Sequence, residues 1–153
     1  MKLGMRTLIP NCELIEPLAH PLRHQPLPYY SGLIPAGFPS PAEDHLDSTL
    51  DLNELLIHRP AATFFARARG DSMLQAGIHD NDILVVDRSI TARHGDIVIA
   101  VVDAEVTVKR LEQKGQRLRL VAANPAYPPI ELTDGQTLEL WGVVTGVVRS
   151  MRR

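Results

Sequence analysis

From Thr63 onward, apolar and polar positions alternate in short runs, and glycine, aspartate or asparagine separates one run from the next. A period of two sends successive side chains to opposite faces, so such runs predict half-buried strands. They are Thr63–Arg69, Ile83–Val86, Ile97–Val102, Glu105–Leu111, Arg117–Ala122 and Leu138–Val148, which makes about six strands. Asp103 and Ala104 lie between two of these runs and predict a tight hairpin, with alanine a poorer turn residue than glycine. Upstream, Asp51-Leu52-Asn53-Glu54 carries an acidic N-cap with a glutamate three positions later, which predicts a short helix ending by His58, ahead of Pro60. No repeat of fixed period runs through the chain, so a solenoid or propeller is not expected.

The first 41 residues follow a different pattern. Eight of the twelve prolines fall there, at positions 10, 17, 21, 26, 28, 35, 39 and 41. Each ring fixes φ and removes an N–H donor, so regular helix or central strand is not expected. The segment is expected to be an extended arm. Its apolar residues, including Leu14, Ile15, Leu18, Leu27, Tyr29 and Ile34, suit either an arm laid along a surface or a mobile tail. The predicted organisation is an arm over 1–41 and a β-rich domain over 42–153, mainly β overall.

Composition narrows the function classes. Apolar residues are 44% and charged residues 22% of the 153, enough for one packed core and too apolar for wholesale disorder. The net charge of −2 supplies no general positive field for a phosphate backbone, so strong direct DNA binding is not expected. One cysteine, Cys12, allows no intrachain disulfide and no paired-cysteine metal or redox site, which suits a reducing, cytoplasmic setting. The longest core-like run, Ile97–Val102, is far shorter than a membrane span, and the first 17 residues lack a signal-like apolar stretch. No membrane association is expected.

Candidate chemistry lies at three places. Gly70-Asp71-Ser72-Met73 precedes Leu74–Gly77, a segment long enough for about one or two helical turns. Ser72 would then sit near a helix N-terminus, where free N–H groups can stabilise an oxyanion, although Gly-Asp-Ser is also a common turn composition. Lys109 lies in a predicted strand whose alternation puts Thr107, Lys109 and Leu111 on one face and Val106, Val108 and Arg110 on the other. One of Lys109 and Arg110 must accept a drier environment. A desolvated lysine loses its proton where arginine keeps it, so Lys109 is the candidate general base, against the alternative of a solvated edge charge. Ala36-Gly37, flanked by Pro35 and Pro39, is a small-residue bond that could enter a narrow cleft in extended form.

These pieces occur in a recognisable order. Ala36-Gly37-Phe38-Pro39-Ser40-Pro41, Asp51–Ile57, Gly70-Asp71-Ser72-Met73, Asp82–Asp87, His94–Ala100 and Val106-Thr107-Val108-Lys109 resemble the UmuD type of the LexA-type self-cleaving Ser/Lys peptidases. The resemblance runs from about residue 37 to the end of the chain. It implies the LexA-type peptidase fold of short antiparallel strands, with Ser72 as nucleophile, Lys109 as general base and Ala36-Gly37 as the scissile bond. The backbone N–H groups of Ser72 and Met73 would form the oxyanion hole. It further implies self-cleavage stimulated by a RecA filament on single-stranded DNA. The processed homodimer would join an UmuC-like Y-family polymerase in SOS translesion synthesis. No cofactor or metal is implied.

The remaining features have plainer readings. His79-Asp80-Asn81-Asp82 has ligand-type side chains, but one short loop offers few convergent ligands, and a solvated turn is expected. The remaining histidines are scattered, with no HExxH pattern. Arg149 and Arg152-Arg153 read as a solvated basic tail, and Trp141 and either Phe64 or Phe65 as core or dimer-interface aromatics. A LexA-like transcriptional regulator would need a helix-turn-helix that the proline-dense first 41 residues cannot form. A signal-peptidase-like protease acting in trans would need a membrane anchor, for which no apolar run is long enough. In a non-catalytic relative that only docks a polymerase, Ser72 and Lys109 would be vestigial.

Overall fold

The structure, a computed structural model, describes residues 23–39, 41 and 48–152. The expectations for residues 1–22, Cys12 among them, lie outside the described residues. The described residues divide into two compact units, 23–58 and 59–152.

The first unit holds strands β1 (Leu27–Tyr29) and β2 (Ser48–Leu50), paired antiparallel, and helix α1 (Leu52–Leu56). The proline-dense arm, expected to hold no helix or central strand, contributes the short strand β1, which contains Pro28 and pairs on one side only. In a two-stranded ribbon each strand keeps one edge unpaired, so the missing N–H of a proline is tolerated. Helix α1 starts as the sequence predicts. The Asp51 carboxylate accepts from the Asn53 and Glu54 N–H groups, and the Gln25 N–H holds its pKa below the ordinary value.

The second unit is a seven-stranded antiparallel sheet. Its strands are β3 (Thr63–Arg67), β4 (Ile83–Asp87), β5 (Ile97–Val102), β6 (Glu105–Lys114), β7 (Arg117–Val121), β8 (Ile130–Glu131) and β9 (Leu138–Val148). They lie in the order β3-β4-β9-β5-β6-β7-β8, so the last long strand runs through the middle of the sheet. All six predicted runs are strands, and the architecture is the mainly β one expected. The two-residue β8 escaped the sequence pattern because it is too short to show a period.

The hairpin between β5 and β6 turns on Asp103 and Ala104, both at positive φ (47° and 70°), the backbone of a type I′ turn. An alanine there is strained, and the turn is tied down from outside: the Asp103 carboxylate accepts from Gln136 Nε2 (2.9 Å) and the Thr137 N–H (3.2 Å). β9 carries two bulges, its register slipping against β5 between Gly142 and Leu140 and against β4 between Gly146 and Val144. Trp141 and Thr145 are the extra residues, and a bulge re-aims the side chain it carries.

Two apolar clusters form the core. Met73, Ile78, Leu84, Val86 and Ile99 lie in one, with Phe64 and Trp141 packed against it; Val98, Ala100, Leu111, Leu120 and Val143 form the other. Phe65 is largely exposed, so of the two adjacent phenylalanines only Phe64 serves the core. At Gly142 β9 lies close against β4. A Cβ there would stand 2.7 Å from Val86 Cγ1 and 2.9 Å from the Asp87 carbonyl oxygen. Gly142→Ala is therefore expected to lower stability by about 1–3 kcal/mol through overpacking, read as a reduced urea midpoint with unchanged slope.

Candidate active site

Ser72 is presented by the excursion between β3 and β4. The excursion opens and closes at one point, where the Ala68 N–H donates to the Asp82 carbonyl (2.8 Å) and the Asn81 N–H to the Ala68 carbonyl (2.9 Å). Gly70, at φ 86°, makes the sharp turn that alternation alone would not allow, and its N–H donates to Asp80 Oδ1 at 2.7 Å. Met73, only 2% exposed, plugs the next position into the core and leaves Ser72 half-buried beside it. The predicted helix after Ser72 is a single 3₁₀ turn, Leu74–Ala76, closed by Gly77 in the left-handed region. It is too short for a helix dipole, so any anion stabilisation here rests on individual N–H groups. Among the described residues, neither the Ser72 nor the Met73 N–H has a hydrogen-bond acceptor.

Lys109 comes from β6, which β5 and β7 flank, and it sits opposite Val98, a residue with 0% exposure. The alternative of a solvated edge charge is thereby overturned: the lysine is 8% exposed. Its amine lies 3.1 Å from Ser72 Oγ, 2.9 Å from Thr107 Oγ1 and 3.1 Å from the Val108 carbonyl oxygen. Burial pushes its pKa below the ordinary lysine value, and no carboxylate hydrogen-bonds or ion-pairs with it among the described residues. A neutral amine has two N–H donors and one lone pair. Thr107 Oγ1 and the Val108 carbonyl accept the two donors, which leaves the lone pair for the Ser72 hydroxyl proton.

The pair lines a cleft of about 330 Å³ whose walls include Ala66, Leu84, Ile99, Val106, Val108 and Trp141, with Arg67, Arg69 and Tyr127 also lining it. This apolar lining is what dries the amine. Ala36 and Gly37 belong to the other unit, where they lie exposed in a bend outside regular structure, between the exposed side chains of Ile34 and Phe38.

A family model described as Peptidase S24-like matches residues 28–145. The chain belongs to the Peptidase S24-like family. Protein SamA of Salmonella typhimurium is 46% identical over 139 residues, 91% of this chain and 96% of that protein. Protein ImpA of Shigella flexneri is 47% identical over 131 residues, 82% of this chain and 85% of that protein. The LexA repressor of Shewanella piezotolerans is 41% identical over 120 residues, 78% of this chain but 58% of that protein. The resemblance to UmuD-type S24 peptidases read from the motifs is thus borne out at the level of the family.

Around the S24 cleft the structure corrects two plainer expectations. Asp82 is not a solvated turn residue: it is 1% exposed and held by Arg149, with Nε on Oδ1 and Nη2 on Oδ2, both at 2.6 Å. Arg149 is accordingly no free tail charge, and its Nη2 also donates to the Gly77 carbonyl (2.9 Å). It grips both the 3₁₀ turn and the close of the Ser72 excursion. Sequence reading had no signal for a partner 67 positions away. Nor could it bring His24 within 3.2 Å of Asp51 and 2.9 Å of Glu54, since this cluster depends on how residues 23–26 return to the cap of α1. Asp51 is already spent on capping, and the cluster reads as part of that cap. Among the described residues, no helix is long and apolar enough to cross a membrane.

The Arg149 hydrogen bonds bring the Asp82 pKa down to about 2 from 3.8. A carboxylate with a depressed folded pKa contributes stability above its unfolded value and loses it as pH falls through the folded one. Arg149→Ala is expected to lower the melting temperature at neutral pH, with the gap to wild type narrowing between about pH 4 and pH 2. For Lys109 the folded pKa is likewise lowered, so the unfolded chain again binds the proton more tightly and wild-type stability rises with pH toward the ordinary lysine pKa. In Lys109→Met that rise is expected to vanish, read from urea midpoints measured across the alkaline range.

Proposed function

We propose that this S24-family chain is a self-cleaving peptidase that cuts its own Ala36-Gly37 bond with Ser72 as nucleophile and Lys109 as general base. The observation that carries the reading is the buried Lys109 amine 3.1 Å from Ser72 Oγ, with its two other neighbours both hydrogen-bond acceptors. In the cutting step Lys109 takes the Ser72 hydroxyl proton as Oγ bonds to the Ala36 carbonyl carbon. The N–H groups of Ser72 and Met73 receive the charge developing on the oxygen. The bond to the Gly37 nitrogen then breaks, that nitrogen leaves with the proton from Lys109, and water hydrolyses the Ala36 ester. The products are residues 1–36 and a body of 117 residues, 37–153. On this reading residues 1–41 act as the substrate-bearing arm of a peptidase domain over 42–153.

A lysine with the ordinary pKa of ~10.4 is neutral in only about four molecules per ten thousand at pH 7, so slow cleavage is the default and drying of the amine sets the rate. From the UmuD-type resemblance we further infer stimulation by RecA on single-stranded DNA in a cytoplasmic SOS response. The processed homodimer then joins an UmuC-like Y-family polymerase for translesion synthesis. That the described strands leave Val147 and Val148 exposed at the end of β9 is compatible with such assembly.

The purified chain is expected to yield the two fragments on alkaline incubation, with a rate that rises roughly tenfold per pH unit until Lys109 is neutral. Ser72→Ala and Lys109→Ala should stay whole by mass spectrometry, and Thr107→Val should cut about ten times more slowly, because one N–H of the amine loses its acceptor. Cutting at Ala36-Gly37 in both Ser72→Ala and Lys109→Ala removes the proposed pair. A wild type that stays whole even with RecA, ATP and single-stranded DNA favours the non-catalytic docking reading.

A further inference from the structure

Resting on the Ser72–Lys109 reading, we infer that the loop 123–127 is a positioning element of the S24 site. Asn124 and Tyr127 together keep the Ser72 and Met73 N–H groups free to act as oxyanion donors. The loop joins β7 to β8 and lies some fifty positions from Ser72 in sequence, yet it touches the segment that presents Ser72 at four places.

The first grip is on the peptide group between Asp71 and Ser72. The Asp71 carbonyl accepts from Asn124 Nδ2 at 3.0 Å and from the Leu74 N–H at 3.2 Å, which occupies both of its lone pairs. A trans peptide is planar with its N–H directed opposite to its C=O, so fixing this carbonyl fixes the direction of the Ser72 N–H. That N–H has no acceptor among the described residues.

The second grip is on the Asp71 side chain. An aspartate in a turn tends to fold its carboxylate onto the N–H two residues on, which here is that of Met73. Instead the Tyr127 hydroxyl donates to Asp71 Oδ1 at 2.5 Å and holds the carboxylate outward. The hydrogen bond to this carboxylate raises the phenol pKa above the ordinary tyrosine value. Two backbone contacts seat the loop itself: the Gln75 N–H on the Ala123 carbonyl (2.9 Å) and the Ala123 N–H on Met73 Sδ (3.4 Å). Tyr127 is 42% exposed, so removing its hydroxyl tests the contact without emptying the core.

The test uses the full chain with Asn124→Asp, which keeps the shape and loses the donor, and Tyr127→Phe. Each is expected to lower the alkaline plateau rate of self-cleavage by roughly 10- to 100-fold, less than outright loss of an oxyanion donor. The pH midpoint set by Lys109 should stay where it is in wild type, and the melting temperature should change little. A role confined to holding the fold would instead lower the melting temperature or displace that midpoint. Independently of cleavage, amide hydrogen exchange at Leu74, whose N–H shares the Asp71 carbonyl, should accelerate several-fold in Asn124→Asp. Plateau rates equal to wild type in both variants, or unchanged exchange at Leu74, overturn the inference. A wild type that never cuts, with exchange at Leu74 accelerated as expected, keeps the contact but overturns the Ser72–Lys109 reading and the oxyanion role with it.

Discussion

The arrangement of this molecule turns on one amine kept out of water. A lysine on a central strand, packed among valine, isoleucine and tryptophan side chains and given no carboxylate partner among the described residues, is less stable charged than it would be in solvent. The surroundings reduce that cost in a particular way. The three hydrogen-bond partners of Nζ match what a neutral amine can use: Thr107 Oγ1 and the Val108 carbonyl can accept its two N–H groups, and the Ser72 hydroxyl can donate to its lone pair. A protonated lysine would make the same three contacts as donor, so the geometry serves both states and only desolvation decides between them.

The sheet order explains how two residues 37 positions apart come within hydrogen-bond distance. β9 returns through the centre of the sheet and separates β4, which anchors the Ser72 excursion, from β5 and β6, which carry Lys109. Its bulge at Trp141 lets that side chain line the cleft, while Gly142 lets the strand lie close against β4. The strand thus sets the spacing between the two halves of the site and, through Arg149 just past its end, ties down the Ser72 excursion.

Much of this was legible in the chain because it is written in local rules. The alternation in 105–111 placed Thr107 and Lys109 on one face, and Asp51 with Glu54 three positions on marked the start of α1. What the sequence could not carry were pairings made by closure of the fold. Asp82 with Arg149 and Asp71 with Tyr127 join residues 67 and 56 apart, and no spacing rule spans such distances. A short aspartate-rich turn and a basic tail each look solvated when read alone. The strand at Leu27–Tyr29 was missed for a related reason: proline content argues against a central strand, but says little about a two-stranded ribbon.

These long-range ties bear on what remains to be controlled. Ser72 is held from three directions: Met73 in the core behind it, Arg149 at the close of its excursion, and the loop 123–127 on the Asp71 side. Lys109 is held by β6, paired there with β5 opposite the buried Val98. With both groups fixed by the sheet, little barrier is left in assembling the pair, and on the proposed chemistry the rate is governed by two other quantities. One is the fraction of Lys109 that is neutral, which further exclusion of water from the cleft would raise. The other is how often the exposed bend at Ala36-Gly37 occupies that cleft, and the same event accomplishes both. An apolar segment such as Leu33–Phe38, entering a cleft walled by valine, isoleucine and tryptophan, would displace water from around the amine as it delivers the bond to be cut. Substrate delivery and activation of the base are then a single step, so the amine is least charged when a bond is there to be attacked.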